Sequence, residues 1–310
     1  MPGYVYGPVP SRRLGASLGI DLVPRKTCSL NCVYCQLGPT PKTTLERKIY
    51  APVDDVVAQV DRKIKEGPQP DYLTLGGSGE PTLHSRFGEI AGRLRERSDL
   101  PNCLLTNGTL FFLPEVRNDC DAIDLIIPSL DAGDEKTFQR VNRPDPDLSL
   151  DEIIEGLTAL RREFDGTLWL EVFLVPDLND SGAALENLRA AARRVDPDLI
   201  HLNTAVRPPA EESVRPLDRA ALERIRDFFG EKTEIIARPE ASENEDFGAS
   251  SREEVYEMLE RRPCTLDDIC MGLNIHPNEA IKHIRRLQED GKIRRNRKGA
   301  LTYYQPSEKR

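Results

Sequence analysis

The 310-residue sequence contains no run of about 18 apolar residues, the least that a membrane-crossing helix needs, so no membrane partner is expected. Its start, Met1-Pro2-Gly3-Tyr4, lacks the basic-then-apolar order of an export signal, and a cytoplasmic location is the expectation. Histidine is scarce: His84, His201, His276 and His283 are scattered, with no pair at metal-site spacing. There are only seven cysteines, three of them crowded into positions 28 to 35, which argues against a disulfide framework and for a metal site in a reducing compartment. Cys103 and Cys120 read as buried, inert thiols, and Cys264 with Cys270 are too few for a second cluster.

What is present is enough for a soluble, globular protein. With 38% apolar residues the chain can bury a core, and its length accommodates a catalytic domain of about 200 to 250 residues plus a small module. The net charge is −9, yet from Ser251 onward 13 Lys and Arg face 10 Asp and Glu, so the tail is electrostatically a different object. Between them, residues 238–250 are polar, acidic and free of apolar periodicity, as linkers are. Two domains are expected, 1–247 and 248–310.

The segment Thr27-Cys28-Ser29-Leu30-Asn31-Cys32-Val33-Tyr34-Cys35 offers three thiols at spacings of four and three. An iron–sulfur cube normally takes four thiolates, so Cys28, Cys32 and Cys35 leave one iron open, as catalytic zinc sites leave a position open. That pattern points to chemistry rather than storage.

Around this loop, short apolar runs alternate with runs of helical period. Strands are expected at 17–23, 72–75, 103–105, 123–128, 168–175 and 199–202, with amphipathic helices such as 54–66 between them. Six βα units imply an all-parallel sheet, open or rolled into a partial barrel, with its ligand site at the carboxyl ends of the strands. Polar residues fall there: Gly76-Gly77-Ser78-Gly79-Glu80-Pro81, Thr106-Asn107-Gly108, Ser129-Leu130-Asp131 and Asn203-Thr204, with Glu171 inside an apolar strand.

The Cys-x3-Cys-x2-Cys loop with Tyr34 before its last cysteine, the turn Gly79-Glu80-Pro81 and the six βα units together resemble the radical S-adenosylmethionine superfamily. The string from Gly7 to Gly15, with Thr27-Cys28 and Gln36-Leu37-Gly38, resembles a bacterial and archaeal subgroup of iron–sulfur oxidoreductases placed near the wyosine-type tRNA-modifying enzymes. The resemblance implies a partial (β/α)6 barrel and a [4Fe-4S] cluster on the three cysteines. It also implies reductive cleavage of S-adenosylmethionine to a 5′-deoxyadenosyl radical, and an electron donor such as flavodoxin or ferredoxin.

On that reading Tyr34, Gly76, Gly77, Gly79 and Glu80 contact the cofactor, the glycines by lacking a Cβ, and Glu80 or a neighbouring carbonyl accepts from the ammonium group. Thr106, Asn107, Ser129 and Asp131 are further cofactor candidates, with capping of the following helices as their alternative. Arg12 and Arg13 are candidates for a substrate carboxylate or phosphate. Glu171 joins them, because a carboxylate among apolar neighbours is costly unless paired or solvated in a site.

Residues 251–305 show three short helices and a hairpin, a winged-helix plan. Lys282, Arg285 and Arg286 on the third helix and Arg294, Arg295 and Arg297 on the wing form the electrostatic footprint of nucleic-acid binding, tRNA or DNA. Peptide contact and a structural cap stay open for the tail. The expected function is hydrogen abstraction from an unidentified substrate, with tRNA a candidate. The alternatives are an iron or redox sensor binding DNA through the tail, and a peptide-modifying radical enzyme.

Overall fold

The computed structural model describes residues 3–237 and 252–307, apart from 274, 276 and 300; the expected linker at 238–250 lies outside the described residues. An antiparallel hairpin, β1 (Val5–Ser11) and β2 (Gly15–Ile20), opens the chain. The cysteine loop leads to α1 (Val53–Glu66), β3 (Tyr72–Leu75), α2 (Phe87–Arg95) and β4 (Asn102–Thr106). Then come α3 (Pro114–Asn118), β5 (Leu125–Pro128), α4 (Glu135–Val141), α5 (Leu150–Glu163) and β6 (Thr167–Leu174). The sheet finishes with α6 (Gly182–Val195), β7 (Leu199–Thr204), α7 (Arg219–Phe229) and β8 (Thr233–Ile235). Spatial order equals chain order, and every pairing from β2 to β8 is parallel.

Alternation along the strands gives the sheet two faces. Leu73, Leu75, Leu104, Ile126, Leu168 and Leu170 join the main core beneath the helices, whereas Cys103, Leu125 and Ile127 cluster with Leu14, Tyr72 and Trp169 on the other face. Seven steps of about 4.8 Å would hold β1 and β8 about 34 Å apart in a flat sheet. Arg12, in the β1–β2 hairpin, nevertheless donates through Nη1 to Asn203 Oδ1 (3.0 Å) on β7 and to the Ile236 carbonyl (3.1 Å) just past β8. One side chain spans that seam only if the sheet is rolled, so the second face is the inside of a partial barrel.

The six expected parallel strands are present, and two further strands complete the eight-stranded sheet. β1 carries Pro8 and Pro10, which read as loop, but proline is tolerated on an edge strand such as this one. β8 has only three residues, too few for a periodic signal.

The last described segment holds α8 (Arg252–Arg261), α9 (Leu266–Leu273), α10 (Pro277–Glu289) and a hairpin of β9 (Ile293–Lys298) with β10 (Leu301–Pro306). It has its own apolar cluster, including Val255, Leu259, Ile269, Ile284 and Leu287. α8 and α9 also pack on β1. Arg261 lies over the Tyr6 ring at 4.2 Å, Tyr303 donates to the Val206 carbonyl at 2.6 Å, and Arg207 faces Asp268 at 3.6 Å. Among the described residues, no helix is long and apolar enough to cross a membrane.

Candidate active site

The cysteine loop follows β2 and is pinned from outside. Asn31 N and Val33 N donate to the carbonyls of Asn142 (3.0 Å) and Val141 (3.0 Å) at the end of α4, while Thr40 N donates to Asn31 Oδ1 (2.7 Å). Cys28, Cys32 and Cys35 are free thiols, partly buried. Each sulfur meets a side-chain N–H donor from a different place: Asn107 Nδ2 at Cys28 (3.5 Å), Asn142 Nδ2 at Cys32 (3.5 Å) and Lys26 Nζ at Cys35 (3.2 Å). Burial is the main cause that pushes the Cys28 thiol up to about 12, and it raises Cys32 as well.

These thiols suit a cube. No three His, Cys, Asp or Glu side chains among the described residues are grouped as a single metal ion requires. A cluster that takes each sulfur on a different iron requires separated thiols instead, and its positive charge offsets the burial that disfavours the thiolates.

The glycine turn after β3 docks on this loop. Glu80 N donates to the Thr27 carbonyl (2.9 Å) and Lys26 N to the Ser78 carbonyl (2.7 Å). A Cβ on Gly79 would overlap the Thr27 carbonyl, and one on Gly77 would lie 2.7 Å from Asp21 Cγ. The close approach that these glycines permit is therefore between two loops of the protein. Gly76 offers its carbonyl to the Tyr6 hydroxyl at 3.1 Å.

Glu80 is buried and faces the protein. Oε1 accepts from Thr82 N (3.0 Å), Thr82 Oγ1 (2.6 Å) and Thr106 Oγ1 (2.6 Å), and Oε2 accepts from Asn107 N (2.7 Å). Burial raises its pKa against the pull of those donors. The carboxylate thus ties the glycine turn to the end of β4 and, through Asn107, to Cys28.

Asp131 is built the same way. It accepts from the Tyr34 hydroxyl (2.5 Å), Asn142 Nδ2 (2.7 Å) and Phe173 N (2.8 Å), and burial again raises its pKa. Tyr34 stacks on Phe173 with centroids 3.8 Å apart and planes 10° from parallel. Ser129 forms a bridge with Glu171 and donates its N–H to the Thr106 carbonyl (3.1 Å).

A cavity of about 290 Å³ opens beside the loop. Cys28, Tyr34, Cys35 and the turn Gly77-Ser78-Gly79 line it together with Arg12, Arg13, Glu171, Phe173, Asn203 and Arg207. Glu171 pairs with Arg13 and accepts from Asn203 Nδ2 at 3.2 Å. Gly76, Glu80, Thr106, Asn107, Ser129 and Asp131 do not line it. Asn142, Phe173 and Asn179, whose Nδ2 donates to the Asp131 carbonyl at 2.9 Å, carried no signal in the sequence: Asn142 past α4 reads as an ordinary cap, Asn179 before α6 as a turn residue, and Phe173 as an apolar strand position.

Lys282, Arg285, Arg286, Arg294, Arg295 and Arg297 lie about the surface of α10 and β9, all exposed, and none lines this cavity.

Residues 22–188, more than half of the chain, match the Radical SAM superfamily, and the chain belongs to it. Members are generally enzymes of radical chemistry that use S-adenosylmethionine and, typically, a [4Fe-4S] cluster. The chain is 32% identical over 295 residues to the UPF0026 protein MJ1312 of Methanocaldococcus jannaschii, covering 93% of this chain and 91% of that one. It is 36% identical over 303 residues to a protein named GTPase Obg from Brachyspira hyodysenteriae, covering 96% of this chain but only 45% of that protein. No Gly-x4-Gly-Lys-Ser/Thr phosphate loop occurs in the present sequence.

Among solved structures, a radical SAM methyltransferase from Sphaerobacter thermophilus superposes with a TM-score of 0.53 at 18% identity, over 71% of this chain and 66% of that one. Streptococcus suis SuiB bound to S-adenosylmethionine gives 0.51 at 15% identity, over 68% and 46%. At these identities the likeness is one of fold.

Proposed function

We propose that this protein reductively cleaves S-adenosylmethionine at a [4Fe-4S] cluster held by Cys28, Cys32 and Cys35 and directs the resulting radical at a substrate in the adjoining cavity. The observation that carries this reading is the set of three cysteine sulfurs, each with a side-chain N–H donor, two of which, Cys28 and Cys35, line a cavity at the strand ends. The chemistry such a cluster supplies when bound is a single electron for splitting the cofactor's sulfonium.

The residues around it hold geometry. Glu80 fixes the glycine turn and Asn107, Asp131 fixes Tyr34 and Asn142, and the Tyr34–Phe173 stack walls the loop against the barrel. Ser78 and its glycine neighbours present main-chain groups to the cavity for the cofactor's methionine end. Electrons come from a small donor protein such as flavodoxin or ferredoxin.

Anaerobic reconstitution followed by dithionite and S-adenosylmethionine is expected to yield 5′-deoxyadenosine, and Cys32→Ala to abolish it. Cluster-loaded protein that never cleaves the cofactor, while DNA binding tracks cluster state, would establish a sensor instead.

The three helices and hairpin of residues 252–306 we read as a winged-helix domain that presents a nucleic acid, tRNA in the first instance. Its support is the group of six exposed basic side chains on α10 and β9. The same unit touches the barrel at Val206, Arg207 and Tyr6, so it adjoins the cavity wall.

A further inference from the structure

The charged groups lining the cavity do not balance. Four are cationic, Arg12, Arg13, Lys26 and Arg207, and one is anionic, Glu171. Lys26 is answered by the Cys35 sulfur and Arg13 by Glu171. Arg207 has only a loose partner, Asp268 at 3.6 Å, and its buried Nε has no acceptor. Arg12 donates to two neutral oxygens, and no carboxylate among the described residues lies within ion-pair distance of it.

Burial is the first cause that pushes each of the three guanidiniums down to about 10, so the fold holds these charges in place at a cost. Such a cost is retained where a ligand supplies the missing charge. They approach from two elements: Arg12 and Arg13 from the β1–β2 hairpin, and Arg207 from the loop after β7, at the same carboxyl end of the strands as the cysteine loop. All three line the cavity that Cys28 and Cys35 also line, so a ligand there can place a charged group on the arginines beside the cysteine loop.

We infer that Arg12, Arg13 and Arg207 form an anion cradle for a carboxylate or phosphate carried by the substrate, separate from the carboxylate of S-adenosylmethionine. The inference rests on the functional reading above and narrows its substrate to an anionic molecule or an anionic group of a larger one. Guanidinium forks suit planar, two-pronged recognition of either group.

The test is isothermal titration of the full-length, cluster-loaded protein with inorganic phosphate and with malonate. It is run without reductant, at low and matched ionic strength, with and without saturating S-adenosylmethionine. Saturable binding of one probe is expected to persist with the cofactor present and to weaken about tenfold or more in Arg207→Gln and in Arg12→Gln. Arg13 is left in place because its loss strands Glu171. The stronger probe distinguishes a phosphate from a carboxylate substrate.

No saturable binding overturns the inference, as does binding that both folded variants retain. Competition by S-adenosylmethionine also overturns it, by assigning the arginines to the cofactor. Should neither variant fold, the wild-type titrations decide by themselves. Formation of 5′-deoxyadenosine by the same wild-type preparation is scored separately. Anion binding without cofactor cleavage sinks the radical-enzyme reading and keeps the cradle, and cleavage without anion binding does the reverse.

Discussion

The amide of Asn142 stands 3.5 Å from the sulfur of Cys32, although 110 residues separate them in sequence. With Asn107 at Cys28 and Lys26 at Cys35 it gives each of the three cysteine sulfurs a side-chain donor. Donors to sulfur favour the reduced cluster, which carries more negative charge. Asn142→Leu, Asn107→Leu and Lys26→Met are each expected to lower the cluster's midpoint potential by tens of mV, taking a hydrogen bond as about 1 kcal/mol and 59 mV per tenfold for one electron. A redox titration followed by electron paramagnetic resonance checks this; three unshifted potentials would show that the donors do not reach the loaded site.

The stack of Tyr34 on Phe173 and the Tyr34–Asp131 hydrogen bond are separable. Tyr34→Leu and Phe173→Leu, combined in a double-mutant cycle of urea unfolding, are expected to couple by about 0.5–1.5 kcal/mol. Tyr34→Phe keeps the ring but takes one of three donors from a buried carboxylate, and should cost about 1–3 kcal/mol.

Glu80 accepts four hydrogen bonds while buried. Glu80→Gln turns an NH2 group toward the N–H of Asn107 or the hydroxyl pair on the other oxygen. The expected loss is about 1–3 kcal/mol in unfolding, with lower iron content after reconstitution. Unchanged stability and iron content would mean that the turn does not need the carboxylate.

His201 is buried inside the barrel against Trp169, with burial first and the Arg13 charge second lowering its pKa to about 4. The unfolded chain takes the proton near pH 6.5 and the folded chain only near 4, so this contribution to stability is full above 6.5 and is lost as the pH falls through that window. Between pH 7 and pH 5 the loss is about 2 kcal/mol. Glu80 and Asp131, whose pKa values are raised, oppose it. The measurement is therefore a difference: wild type should lose more stability between the two pH values than His201→Gln does.

Replacing Arg294, Arg295 and Arg297 together by Ala is expected to weaken tRNA binding at low salt. Every phosphate that these side chains no longer neutralise should flatten the dependence of log affinity on log salt by about 0.7–0.9. Filter binding across a salt series checks it, and an unaltered slope would remove nucleic acid as the ligand of this face.

The parallel strands were legible because β3, β4, β5 and β7 are short apolar runs closed by polar residues, and α1 repeats Val53, Val56, Val57 and Val60 on one face. β1 was hidden by its prolines and β8 by its length. The glycine turn was legible as a special loop, but the reason for its glycines was not. What a Cβ on Gly79 would strike is the carbonyl of Thr27, 52 residues earlier, a contact that no local pattern encodes.

By itself the sequence determined the three thiols at fixed spacing, the strand period and the polar strand ends. These are properties of covalent order and of a repeat of two or 3.6 residues. Only the tertiary structure decided which side chains face the cavity. Rolling the sheet turned Glu80 and Asp131 into its scaffold, paired Glu171 with Arg13, and brought Arg12 across the seam to Asn203. Those outcomes depend on closing distances between strands far apart in the chain, and only packing of the whole barrel sets them.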